Sequence, residues 1–303
     1  MEAEFHRWLR EHLPTHPSLP LGFGDDAAVL KRTVSPDVVM TTDLVSDGVD
    51  FRLERDDPRR AGRKALAVNL SDLAAMAARP LAAVVSIALP RGGVGGRSAL
   101  DLAIALYEGL LPLAAEFGVA IAGGDTNTHD GPLVICVTAL GEVTDRGPLR
   151  RSGGRPGDML LVTGSLGGSI AGHHFDFRPR VNEAILLHDR YELHAGMDVS
   201  DGLALDLARL AAESGCGALI QTERVPISAA ARKLPDSLQH ALSDGEDFEL
   251  LLAASANAAE AIVRDQPLDC PITCVGELIA EPGLWQQSAD RRRTLLEPKG
   301  WQH

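Results

Sequence analysis

Basic charge is scarce in this sequence and never forms a long run. The formal net charge over 303 residues is −13, and the densest basic cluster is Arg291-Arg292-Arg293. A nucleic-acid partner, which needs a positive face, is therefore not expected. Long apolar stretches are missing too: the longest such region, residues 65–89, is interrupted by Asn69, Asp72 and Arg79, so no bilayer span and no membrane partner are expected. Only four cysteines occur, Cys136, Cys216, Cys270 and Cys274, and Cys270-x-x-x-Cys274 has no second half to complete a metal site. They read as reduced thiols in a cytoplasmic protein. The sequence also lacks a Gly-x-x-x-x-Gly-Lys-Ser/Thr phosphate loop, a Gly-x-Ser-x-Gly elbow and a His-Glu-x-x-His pair. An acidic protein that handles phosphates must then place divalent cations between itself and its ligand.

Apolar residues make up 45% and charged residues 23% of the chain, a globular balance. Its length suits two α/β-sized domains. The amino terminus, MEAEFHRWLREHL, sets Phe5, Trp8, Leu9 and Leu13 on one helical face with acids at its start, which predicts a docking helix rather than a signal peptide. Strand patterns follow at Val38–Thr42, Ala82–Leu89, Val119–Ala122 and Leu133–Val143, with helical patterns at Pro58–Ala78 and Arg97–Phe117. A polar connection, TDRGPLRRSGGRPGD, leads to a second series: strand Met159–Thr163, helices near Val181–Tyr191 and Gly202–Glu213, and strands Ala218–Gln221 and Phe248–Ala254. The domain boundary is placed at residue 145, giving domains 1–145 and 146–303.

What the sequence does have is aspartate, repeatedly, beside apolar runs. DVVMTTDLVSDGVDF carries two threonines and several aspartates directly after a strand pattern, where Asp47-Gly48 alone would suffice for a turn. Ser-Asp-Gly recurs at Ser200-Asp201-Gly202 and Ser243-Asp244-Gly245, and Asp25-Asp26, Asp72 and Gly123-Gly124-Asp125 occupy similar positions. Hard oxygen donors of this kind suit Mg²⁺, which bridges one or two carboxylates to substrate phosphates; turns and helix caps account for the same residues without any metal. In MDVSDGLALDLARLAAES the stripe Leu203, Leu207, Leu210, Ala211 predicts a helix capped by Ser200 or Asp201, whose amino terminus could equally receive a phosphate. Asn69 and Asp72 lie three apart on a helical pattern and read as a solvated edge unless that face packs inward. GDMLLVTGSLGGSIAG resembles a dinucleotide fingerprint only loosely, and His173-His174 beside Asp176 reads as a polar loop.

Taken in order, GFGDDAAVL, TTDLVSDGVDF, KALAVNLSDLAAMAARP, AGGDT, RRSGGRPGDMLLVTGSLG, MDVSDGL and SDGEDFELL resemble the thiamine-monophosphate kinases, over most of the chain from about Leu21 to Lys299-Gly300-Trp301. These kinases share a superfamily with aminoimidazole ribonucleotide synthetase, selenophosphate synthetase and the hydrogenase-maturation dehydratase. The resemblance implies an α/β (α+β) fold of two domains, with the first-domain sheets of two subunits pairing into a β-barrel in a homodimer and ATP near that interface. It implies several Mg²⁺ ions held by Asp26, Thr41, Thr42, Asp43, Asp72, Asp125, Asp198 and Asp201. ATP contacts would fall on Tyr107, Gly124, Arg151 and Ser200, and contacts to a small phosphorylated substrate on Glu246, Trp301 and the position of Asp50.

Two departures stand out: Asp50-Phe51 occupies the place of the family's His-Phe, and Asp244-Gly245 that of its Gly-Gly. The stretch between Gly172 and Arg178-Pro179-Arg180-Val181 is also short for the family. Selenophosphate synthetase carries a reactive Cys near the amino terminus and the dehydratase a carboxy-terminal one. Here the first Cys is Cys136 and the chain ends in Gln302-His303. The implied reaction is ATP-dependent, in-line phosphorylation of thiamine monophosphate to thiamine diphosphate, with no residue assigned as general base. The rival readings are another ATP-using enzyme of the superfamily and a non-catalytic nucleotide or metal binder.

Overall fold

The computed structural model describes residues 27–30 and 37–301, so the amino-terminal helix expectation and Asp26 lie outside the described residues. The first sheet runs β1 (Ala28–Leu30), β2 (Val38–Ser46), β3 (Arg79–Pro90), β4 (Ala120–His129) and β5 (Val134–Glu142), in the spatial order β1-β2-β5-β3-β4. Helices α1 (Pro58–Ala75) and α2 (Ala99–Glu116) cover it. Asp57 caps α1 by accepting from the Arg59 N–H, and Pro58 occupies a first-turn position where its missing N–H costs nothing. Ser98 and Asp101 form a reciprocal capping box at α2.

Alternation along β2 decides which face meets the helices. Val39, Thr41 and Val45 are buried, whereas Met40, Thr42 and Leu44 point to the opposite, uncovered face, where Leu44 is 60% exposed. Across the sheet Asp43 lies opposite Val137, Val137 opposite Val85 and Val85 opposite Gly124. The expected strand at Val119–Ala122 continues through Gly123 and Gly124 to His129, because both glycines adopt positive φ and keep the ladder with β3.

The second sheet contains β6 (Met159–Thr163), β7 (Leu193–Asp198), β8 (Gly217–Gln221), β9 (Leu250–Ala254), β10 (Ile272–Ile279), β11 (Leu284–Gln287) and β12 (Arg293–Leu295), ordered β12-β11-β8-β10-β6-β9-β7. The remaining helices are α3 (His173–Asp176), α4 (Val181–Arg190), α5 (Leu203–Glu213), α6 (Ser237–Ser243) and α7 (Ala256–Asp265). Strands β7, β10, β11 and β12 and helices α6 and α7 go beyond the sequence expectation, since several are short or interrupted by Gly, His or Gln. One face of this sheet, through Leu161, Leu250 and Leu252, joins the core of the first domain; the other, through Leu160, Val162 and Leu251, packs beneath α5. All four cysteines are unpaired thiols.

Helix α1 sits between the two layers and is buried around most of its circumference. It crosses α2 at glycines: a Cβ on Gly62 would lie 2.0 Å from the Leu106 carbonyl oxygen, and one on Gly109 1.8 Å from that of Arg59. Gly62→Ala and Gly109→Ala should therefore each cost about 1–3 kcal/mol by forcing the backbones apart. Thermal denaturation reads this directly, and an unchanged Tm in both variants would show that the crossing is not close.

Candidate functional site

The carboxyl half of α1 brings the first acids together. Thr41 Oγ1 donates to Asp72 Oδ2 at 2.5 Å, and Asp43, two residues along β2, shares the face of Thr41. Ser71 Oγ donates to Asp198 Oδ2 at 2.5 Å, so consecutive residues of α1 tie the middle of β2 to the end of β7. Asn69 is fully buried; its Nδ2 donates to the Ala65 carbonyl while its Oδ1 has no partner among the described residues. The face carrying Asn69 and Asp72 thus packs inward rather than forming a solvated edge. Thr42 diverges, with its hydroxyl on the uncovered face between Thr138 Oγ1 at 2.9 Å and the Val137 carbonyl at 3.1 Å.

The Val199-Ser200-Asp201-Gly202 turn forms the opposite wall. Gly202, at φ 117°, takes the cap position of α5, and neither Ser200 nor Asp201 caps with its side chain. Asp206 reaches back instead, accepting from the N–H groups of Asp201 and Gly202 at 2.9 and 3.1 Å. The glycine frees the chain to turn, and the acid one turn inside supplies the acceptor that a capping Ser or Asp would otherwise provide. Complete burial, then repulsion from Asp201, pushes the Asp206 carboxyl up to about 7 despite the opposing Arg209. Arg209 donates to both Asp201 and Asp206, and Arg151 lies close enough to act on Asp206 and Arg209 electrostatically.

Glu246 and Trp301 meet this turn through their backbone N–H groups, and Asp50 lies close enough to Glu246 to act on it. The Trp301 N–H donates to the Asp201 carbonyl at 2.8 Å, and the Glu246 N–H to the Ser200 carbonyl at 2.6 Å. Glu246 and Phe248 both have left-handed φ, 55° and 50°, an uncommon conformation away from glycine that clusters at binding sites. Burial raises the Glu246 carboxyl pKa; Lys64 opposes that shift, and Asp50 and Asp201 add to it. The Asp50 carboxylate closes its own turn by accepting from the Ser46 N–H at 2.7 Å, and Gly48 supplies the positive φ, 97°, that the turn needs.

Two residues that sequence reasoning missed complete this wall. Lys64 is 0% exposed and its Nζ donates to the Asp50 carbonyl at 3.0 Å, to His174 Nδ1 at 3.1 Å and to the Glu246 carboxylate. His174, expected in a polar loop, is buried against Lys64 because α3 folds down onto α1.

Tyr107 and Gly124 belong to α2 and β4 of the first domain, whereas Arg151 and Ser200 lie beside α5 of the second. Tyr107 packs partly buried in the first-domain core on α2, which lies against β3 and β4. Asp125 is exposed on the edge strand β4, two intervening strands from β2. At about 4.8 Å per strand, the row from Asp43 to Gly124 spans roughly 14 Å, so Asp125 does not join Asp43 and Asp72 within one chain.

Thr41, Asp43 and Asp72 offer oxygen donors, and among the described residues no group of three His, Cys, Asp or Glu is close enough to hold a metal ion by itself. Such a set fits Mg²⁺, which keeps waters and relies on substrate phosphates for part of its shell. Among the described residues no helix is long and apolar enough to cross a membrane.

Residues 24–143 match the family model for the AIR synthase related protein N-terminal domain, and residues 169–284 that for its C-terminal domain. Fold and site thus define a two-domain protein of the aminoimidazole ribonucleotide synthetase type. The thiamine-monophosphate kinase of Rhodopirellula baltica is 42% identical, over 100% of this chain and 97% of its own length. The solved structure of AaThiL complexed with AMPPCP and TMP superposes with a TM-score of 0.82 at 25% identity, covering 100% of this chain and 95% of that one. The thiamine-monophosphate kinase from Stenotrophomonas maltophilia gives a TM-score of 0.74 at 33% identity, covering 93% and 94%. The chain belongs to the thiamine-monophosphate kinase family.

Burial, with the neighbouring Lys64 second, lowers the His174 pKa from 6.5 to about 4. Because the folded value lies below the unfolded one, the stability linked to a neutral His174 is complete above pH 6.5 and is lost as pH falls towards 4. The loss should reach on the order of 2–3 kcal/mol at pH 4. His174→Asn, which keeps an acceptor near the Nδ1 position without titrating, should flatten the Tm profile between pH 6.5 and 4. Parallel profiles for the two proteins would remove His174 as the cause.

Proposed function

We propose that this protein transfers the γ-phosphate of ATP to thiamine monophosphate, releasing thiamine diphosphate and ADP. The observation that carries the reading is the convergence of Ser200, Asp201, Glu246, the Asp50 turn and Trp301 on one wall, in a chain related end to end to a thiamine-monophosphate kinase. On this reading Arg151 and Ser200 contact ATP, while Asp50, Glu246 and Trp301 line the acceptor side. Carboxylates there suit the cationic thiazolium and the amino group of the acceptor, whose phosphate must point towards the acids on α1 and β7. The acceptor phosphate oxygen is already ionised near neutral pH, so the chain needs no general base and acts through alignment of the two phosphates. Asp43, Asp72, Asp198 and Asp201 with Thr41 would hold Mg²⁺, which when bound offsets the repulsion between the phosphates.

The homodimer belongs to the same proposal. The sheet face opposite α1 and α2 exposes Met40, Leu44 and Val84, and β4 is an edge strand exposed over most of its length. Pairing the first sheets of two copies covers both features. On this reading Asp125 and Gly124, remote from Asp43 within one chain, serve the site of the partner subunit, so that each ATP lies between subunits.

Thiamine diphosphate formation from thiamine monophosphate, ATP and Mg²⁺ tests the activity. A substrate panel that excludes thiamine monophosphate but finds ADP release with another acceptor would replace it with the superfamily alternative. Asp43→Asn and Asp72→Asn should each lower turnover by about two or more orders of magnitude with Tm little changed, since the charge matters to phosphate neutralisation and not to packing. Turnover within a few-fold of the parent in both variants would remove these acids from the site. Subunit exchange probes the dimer: an equimolar mixture of Asp43→Asn and Asp125→Asn proteins, each nearly inactive, should regain about a quarter of parental activity, because each mixed dimer carries one intact site. No recovery would mean that Asp125 acts within its own chain.

A further inference from the structure

A lysine with no solvent exposure in the middle of a helix needs an explanation, because burying its charge is costly unless every donor is used. Lys64 uses all three. Its Nζ donates to the Asp50 carbonyl at 3.0 Å, to His174 Nδ1 at 3.1 Å and to Glu246 Oε1. These acceptors come from three separate segments: the turn after β2, helix α3 and the loop before β9. Acceptance at Nδ1 places the histidine proton on Nε2, and the Phe175 ring lies 5.7 Å from Nζ, closing the remaining side.

Glu246 is the acceptor that is not enclosed. Its side chain keeps 30% of its surface, and its backbone is clamped in a left-handed conformation by the hydrogen bond to Ser200. One carboxylate oxygen is therefore held by Lys64 and the other lies 3.4 Å from His174 Nδ1, while the group stays near enough to Asp50 and Asp201 to feel their charge.

We propose that Lys64 is a positioning residue for the acceptor side of the reaction: it orients the Glu246 carboxylate and the Asp50 turn, and so sets affinity for thiamine monophosphate without touching either substrate. This rests on the kinase reading above. Because His174 stays neutral, it remains able to accept from Lys64 across the working pH range. The three acceptors of Lys64 are Asp50, His174 and Glu246, none of them on the ATP side of that reading, so the effect should be confined to one substrate.

The test is steady-state kinetics of Lys64→Met, whose shape is close and whose charge is absent. The KM for thiamine monophosphate should rise by about tenfold or more while the KM for ATP changes by less than about threefold. A general loosening of the fold would move both constants together, and that result overturns the proposal, as does an unchanged acceptor KM. Should Lys64→Met fold poorly because Glu246 is left buried and unpaired, the double variant Lys64→Met/Glu246→Gln removes the stranded charge and should fold. In the Glu246→Gln background Lys64→Met should add little to the acceptor KM, since the two residues act as a unit. Full additivity, or a double variant that also fails to fold, makes Lys64 a folding residue only. A parent that forms no thiamine diphosphate overturns the kinase reading and this proposal together; an active parent whose variants keep the acceptor KM overturns this proposal alone.

Discussion

Everything in this molecule is arranged around the burial of α1. A helix enclosed by a sheet on one side, a second helix on another and the second domain beyond must draw partners for most of its buried polar side chains from its neighbours, because little water reaches them. Lys64, Ser71 and Asp72 are satisfied by residues of β2, β7 and the loop before β9. The partners chosen are the strands and turns from which the site is built, so packing of the helix and placement of the acids are one and the same requirement.

The cost of gathering acids is visible in their protonation. Asp206 and Asp247 are each pushed up to about 7, with burial as the leading cause in both, and Glu246 is raised in the same direction. The hydrogen bonds from the Ser169 hydroxyl and the Gly167 N–H oppose the shift at Asp247, as Arg209 does at Asp206. In a chain with a net charge of −13, Lys64 pairs with Glu246 and Arg209 with Asp206, while Asp247 is held by those two hydrogen-bonding partners.

Much of the fold was legible because the patterns were strong: the alternation of β2, the alanine- and leucine-rich α1 and the stripe of α5 each dictate one face. The late strands were not, since β11 and β12 are a few residues each and depend on pairing with β8 rather than on their own periodicity. In the candidate site, the convergence of Thr41 with Asp72 and of Glu246 with Asp201 followed the motif order. Lys64 escaped because a lysine in a helical pattern ordinarily reaches water. Only the complementary fact, a His and a Glu from distant segments meeting it, reveals its burial, and one sequence carries no signal of that meeting. Asp206 was hidden for a similar reason: its role as a cap depends on Gly202 vacating the usual one.

The segment between β6 and α4 shows whose body it belongs to. Arg60 holds the Gly172 carbonyl and Asp176, Arg63 holds the carbonyls of Phe175 and Phe177, and Lys64 holds His174. By chain order residues 172–177 are part of the second domain, yet their hydrogen bonds tie them to three consecutive exits of α1. If the two sheets ever part to admit or release a ligand, these hydrogen bonds would carry this short piece with the first domain at the expense of the Phe177 ring's stacking on Phe248, 4.1 Å apart. The bending would then fall on the glycines at 164, 167 and 168 before it and on the turn at Arg178-Pro179 after it, giving the molecule two hinges in one crossing rather than a single interdomain linker.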